Sequence, residues 1–112
     1  MNHTTATINL GDYLTPGAKV FTGRDRGQEV RKRSKINDLA NTSSKLTIQI
    51  PDQVRSINPS FLEEFLVDVV RQLGRATFLQ RVEFTKAQRY DVTEDLEEAI
   101  DRILTEENAL AA

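Results

Sequence analysis

Ser56, Asn58 and Ser60 are small polar residues set at alternate positions just before a run that reads as an amphipathic helix. A helix N-terminus leaves backbone N–H groups unpaired and carries the positive end of the helix dipole. A phosphate on Ser56 or Ser60 would meet those N–H groups, and nearly two added negative charges would reshape any interface there. Ser56 and Ser60 are therefore candidate phosphoacceptors. The plainer reading makes Asn58 a helix cap and both serines turn residues. The turn, which includes Asp52, contains no histidine or cysteine. Its chemistry suits docking of a protein partner better than catalysis.

A second constellation is Phe21-Thr22-Gly23-Arg24-Asp25-Arg26-Gly27. Backbone N–H groups and guanidinium forks at a helix start can cradle an anion, so Gly23, Arg24, Arg26 and Arg31 are candidate anion-binding residues. This is not a P-loop, because the glycines are too close and no Gly-Lys-Ser/Thr ending follows. Gly27 has the alternative role of letting its helix approach the sheet. The run Arg31-Lys32-Arg33-Ser34-Lys35 could serve nucleic acid, but a helix spreads consecutive cations around its circumference and no aromatic is interleaved. A solvated face or an acidic protein partner is the competing reading.

Catalytic sets are missing. Glu63 and Glu64 are adjacent, and adjacent helix positions point about 100° apart, so they do not converge on one substrate. His3 is the only histidine and has no co-ligands for a metal. The chain has no cysteine, which removes thiolate nucleophiles, disulfides and cysteine zinc sites and fits a reducing cytoplasm. The expectation is a non-enzyme with no metal and no cofactor.

The elements that must position these residues follow from pattern. Thr5 to Leu10 alternates as a strand, the stretch 11–17 is a Gly/Pro turn, and 18–22 is a second strand. A helix is expected over 25–36, with Asp25 and Gln28 at capping-box spacing. Residues 37–44 read as a loop. Leu46, Ile48 and Ile50 alternate with Thr47 and Gln49 in a third strand ended by Pro51. Asn58 as N-cap and Pro59 at the first helical position open the clearest helix. Phe61, Leu62, Phe65, Leu66, Val69, Val70 and Leu73 form its apolar stripe, Glu63, Glu64 and Asp68 face away, and Gly74 is the C-cap. A fourth strand spans 78–84. Asp91 and Glu94 have capping-box spacing before a last helix to about residue 106. The order β-β-α-β-α-β-α implies an α/β domain, with a mixed sheet of about four strands and three helices packed against it.

At 112 residues the chain suits one domain, with a core over about 5–106 and flexible tails at 1–4 and 107–112. Hydrophobic residues make up 38% and charged residues 29%, a balance expected of a soluble globular protein. No apolar run is long enough to span a membrane, and the sequence MNHTTATINL lacks the features of a secretory signal. Charge is uneven. Residues 1–57 carry 9 Lys and Arg against 5 Asp and Glu, whereas residues 58–112 carry 6 against 12. Such halves can face different partners, or pair head to tail in a homo-oligomer.

Ile57-Asn58-Pro59-Ser60-Phe61, placed between a strand and an amphipathic helix, resembles the STAS fold of anti-sigma factor antagonists and sulfate-transporter tails. The closer likeness is to STAS-like domains of unknown function from bacterial and phage genomes. It rests on Arg24, the strand from Leu46 to Ile50, Asp52, Val54, Ile57, Ser60, Phe61 and the following FLEEFLVDVVRQLG, over roughly residues 18–104. The resemblance implies an adaptor partner of a histidine-kinase-type ATPase. In the antagonists, a serine at this helix start is phosphorylated. Here that position falls on Pro59, with Asn58 where the antagonists carry Asp, so a switch would have to use Ser60 or Ser56 or be lost.

The expected function is a cytoplasmic regulatory or adaptor module acting by protein–protein association. Its docking residues would be Asp52, Ser56, Asn58, Ser60, Glu63, Glu64 and Asp68, with the basic helix as a second surface. The alternatives are nucleic-acid or nucleotide-phosphate binding through Arg24–Lys35, and a phage or mobile-element protein that blocks or completes a defence complex.

Overall fold

Alternating apolar residues build the parallel sheet at the centre of the chain. A computed structural model describes residues 4–111, with side chains as far as Glu106. Strand β1 (Thr5–Asn9) lies parallel to β3 (Lys45–Gln49), which lies parallel to β5 (Val82–Phe84), giving the order β1-β3-β5. Ala6 pairs in register with Leu46 and Ile8 with Ile48, and Ile48 in turn faces Phe84. These residues turn to the core side. A separate two-stranded parallel ribbon joins β2 (Val20–Phe21) to β4 (Ser56–Ile57). A 3-10 turn over Leu10–Tyr13 follows β1 and drops Leu10 into the core.

Four helices complete the described fold: α1 (Arg24–Ser34), α2 (Ile36–Thr42), α3 (Pro59–Arg81) and α4 (Thr93–Ala111). The stripe expected on α3 is the heart of the core, with Phe61, Leu62, Phe65, Leu66, Val69 and Val70 all buried. Each such side chain contributes about 1.5–3 kcal/mol by leaving water. Phe61 stacks at a tilt on Phe21 of β2, with ring centroids 4.9 Å apart. That contact anchors the small ribbon to the helix layer. Helix α3 packs between α1 and α4.

Several expectations change. The sheet expected to be mixed is parallel in every ladder, and its strands divide between two sheets. The stretch 37–44, expected as a loop, is mostly helix α2. Its Asn, Asp and Thr side chains favour caps and turns, but Ile36 and Ala40 are buried and hold it as a helix. Lys35 is left-handed, at φ 58, and separates α1 from α2. Gly74 does interrupt α3, at φ 77 and ψ 168, but the chain resumes helical form to Arg81. Phe78 is therefore a buried helical residue, and β5 begins only at Val82. Ser56 and Ile57, read as turn, pair with β2.

Neither expected capping box forms. Gly23 is the N-cap of α1 and makes no side-chain cap bond, and Gln28 Nε2 donates instead to Glu64 Oε1 at 2.8 Å. Asp91 accepts from Thr93 rather than exchanging bonds with Glu94. Helix α4 continues to Ala111, within the segment expected to be a C-terminal tail. His3 lies outside the described residues.

Candidate functional site

The charged residues singled out on α1 and α3 lie opposite one another. Glu63, expected to face solvent, is buried at 7% exposure, so it is not a docking residue on an open face. Its Oε2 lies 2.9 Å from Arg24 Nη2 and 4.0 Å from Arg102 Nη1, without an aligned hydrogen bond, so the attraction is ionic. Glu64 is half-buried, accepts from Gln28 and lies 3.6 Å from Arg24. Arg31 donates to the Glu64 carbonyl at 2.7 Å and stands 3.9 Å from Asp68. Asn37 also donates to Asp68, at 2.9 Å. The two surfaces expected to meet separate partners meet each other. The physical reason is complementarity along two packed helices, cationic on one and anionic on the other.

Gly27 makes that approach close. A Cβ at this position would sit 2.5 Å from the Phe61 carbonyl oxygen and 2.8 Å from Glu64 Cβ. The neighbour it admits is therefore α3 and not the sheet. The candidate anion cradle is occupied as well. Besides the pairings of Arg24 and Arg31, Arg26 donates to the Tyr13 carbonyl at 2.7 Å and to Thr15 Oγ1 at 3.0 Å. Arg33 pairs with Glu29 at 3.4 Å and lies over the Tyr13 ring.

The turn from Asp52 to Ser60 remains accessible. Asp52, Ser56 and Asn58 are exposed and Ser60 is partly so. Asn58 caps α3 by accepting from Ser60 N at 2.8 Å, and Pro59 takes the first helical position, as the sequence indicates. The Asn58 N–H donates to the Phe21 carbonyl at 2.9 Å, so the cap is tied to β2. Val54 and Ile57 fill the core beneath.

A surface not singled out from the sequence is the far face of the main sheet. Thr5, Thr7 and Asn9 of β1 share it with Lys45, Thr47 and Gln49 of β3 and Glu83 of β5. Every one of these is exposed except the half-buried Thr47. Lys45 and Glu83 pair across it at 3.6 Å. The strict alternation of polar with apolar residues was its only signal, and that pattern is common to any half-buried strand.

Tyr90 is the strongly perturbed titratable group. Its pKa is pushed well above the ordinary phenol range, first by burial and then by the hydrogen bond it donates to Asp95 Oδ2 at 2.5 Å. It also reaches the Ile57 carbonyl at 3.2 Å, joining the start of α4 to β4. A phenol held protonated in this way is a structural tie rather than a nucleophile. The Asp91 carboxyl is held below its usual value by the Thr93 hydroxyl and then the Thr93 N–H, at 2.6 and 2.9 Å. Among the described residues, no group of three or more His, Cys, Asp or Glu could hold a metal ion. No described helix is long and apolar enough to cross a membrane.

No protein-family model, curated protein or solved structure matches the chain.

Proposed function

We propose that this chain is a non-enzymatic regulatory or adaptor module that acts by reversible association with a protein partner. The observation that carries the reading is the uncovered polar face of β1 and β3. Parallel sheets ordinarily have both faces covered, and here the helices cover one. The face has a neutral polar centre of Thr7, Thr47 and Gln49, with its two charges, Lys45 and Glu83, paired to each other. It suits a partner surface that is polar and near neutral and can add hydrogen bonds without burying a lone charge. The accessible turn from Asp52 to Ser60 follows the C-terminal end of β3, so Asp52 and Ser56 would extend the contact.

The partner class implied by the sequence resemblance is a kinase-like ATPase. In that setting Ser56 and Ser60 are the candidate sites of a phosphoryl switch. Nucleic-acid binding through Arg24–Lys35 has less support, because Arg24, Arg26, Arg31 and Arg33 each have an ion-pair partner within the chain.

The test begins with affinity purification of the full chain, identification of the partner, and titration of that partner against the purified protein. Thr7→Arg with Thr47→Arg should weaken binding by about tenfold or more, roughly 1.4 kcal/mol, with circular dichroism unchanged. Undiminished affinity would exclude the sheet face. A dimer dispersed by the same substitutions would make a second copy the occupant and overturn the adaptor reading.

A further inference from the structure

Three cations from distant parts of the chain line one cavity of about 320 Å³: Lys19, Arg55 and Arg89, with Asp52, Gln53 and Gln88 completing the wall. Their convergence is built by the backbone. Arg55 N donates to the Lys19 carbonyl at 2.7 Å, one residue before the register pair Val20 and Ser56. Lys19 and Arg55 thus sit side by side on adjacent parallel segments, and neighbouring strands are about 4.8 Å apart. Like charges placed so are mutually destabilising unless something negative lies between them. Arg89 arrives on the tight turn from Ala87 to Tyr90, closed by Ala87 N on the Tyr90 carbonyl at 3.2 Å. The Tyr90 hydroxyl fixes that turn to the Ile57 carbonyl of β4.

Lys19, Arg55 and Arg89 are all exposed, and among the described residues none of them forms an ion pair. This contrasts with the arginines of α1, whose charges are engaged. The wall carries three positive charges against the one carboxylate of Asp52. A second cavity, of about 680 Å³, shares Asp52 and Gln53 with the first. It runs past Asn9, Gln49, Thr85 and Lys86, at the carboxyl ends of β1, β3 and β5. In open α/β sheets, ligands settle outside the carboxyl ends of the strands. Apart from Gly11, Ile50 and Pro51, its walls are side-chain hydrogen-bond donors and acceptors, the Asp12 carboxylate among them, which match hydroxyl groups.

We propose that the two adjoining cavities together bind a small phosphorylated polyol of the sugar-phosphate class. Lys19, Arg55 and Arg89 take the phosphate oxygens through charge-assisted hydrogen bonds, and Gln88 donates beside them. Asp52 lies between the two cavities and accepts from a hydroxyl of the ligand body, which extends toward Asn9 and Gln49. The site shares Asp52, Asn9 and Gln49 with the proposed docking surface, but its test uses no protein partner, so its failure and that of the docking reading are distinguishable.

Isothermal titration of the full chain at low salt, with ribose 5-phosphate, inorganic phosphate and ribose as separate probes, tests it. Ribose 5-phosphate should saturate one site with Kd below about 1 mM, phosphate should bind several-fold more weakly, and ribose should give no saturable signal. Arg55→Gln with Arg89→Gln should weaken ribose 5-phosphate at least tenfold, whereas Lys32→Gln, a cation outside the cavity, should leave it unchanged. Asp52→Asn should tighten phosphate, by removing the one negative charge of the wall, and should narrow the advantage of ribose 5-phosphate over phosphate. Absence of saturable binding by ribose 5-phosphate, or equal binding by the double variant with unchanged circular dichroism, would overturn the site. Equal affinities for phosphate and ribose 5-phosphate would overturn the polyol assignment.

Discussion

Single residues decide how closely the layers of this molecule approach. Gly27 is the sharpest case, because a methyl group there would collide with a backbone carbonyl of α3. Alanine has the better intrinsic helix propensity, by about 1 kcal/mol, yet forcing α1 from α3 costs about 1–3 kcal/mol. It would also stretch the Arg24–Glu63 and Arg31–Asp68 pairs. Gly27→Ala is expected to be destabilising, read as a lower midpoint in urea denaturation. Tyr90 sets a pH dependence. Folding raises its pKa above the unfolded value near 10, so its contribution is complete below about pH 10 and declines as pH rises beyond that. Tyr90→Phe should lower stability by about 1–2 kcal/mol at neutral pH, and its stability should fall less than that of the parent chain above about pH 10. Chemical denaturation at pH 7 and at pH 10.5 would check both parts.

At the scale of elements, the legible parts are those whose signals are local. Asn58-Pro59 announces a helix start, the seven-residue apolar stripe of α3 announces its buried face, and the alternation in β1 and β3 announces strands. The missed parts depend on tertiary contacts. Helix α2 is written in residues that prefer turns, and burial of Ile36 and Ala40 outweighs that preference. Strand β4 is two residues long and exists because β2 lies beside it. Phe78 is expected in a strand, because Gly74 reads as a helix end, but the chain resumes helical form after Gly74. That glycine has a positive φ and no neighbour that a Cβ would strike, so its role is conformational. Gly74→Ala should cost about 1–2 kcal/mol through backbone strain alone, without altering the core around Phe65. Thermal unfolding would show the loss, and an unchanged midpoint would mean that the break needs no glycine.

For the whole molecule, the uneven charge of the two chain halves is resolved internally in part. The cationic α1 closes on the anionic face of α3, and Lys45 spans to Glu83. The residues expected to dock a partner are not all on one open surface. The turn from Asp52 to Ser60 is open to solvent, whereas Glu63 and Glu64 are held in the seam between helices. No arrangement of residues along the chain could reveal that pairing, because it depends on how α1 and α3 cross. What remains open is the polar face of the parallel sheet, and the central claim is that a protein partner covers it. The decisive measurement is the affinity of the identified partner for Thr7→Arg with Thr47→Arg, set beside Lys32→Glu on the exposed side of α1. A loss of about tenfold or more in the first and none in the second is expected. An unchanged first variant with a weakened second would contradict the claim and return the interface to the basic helix.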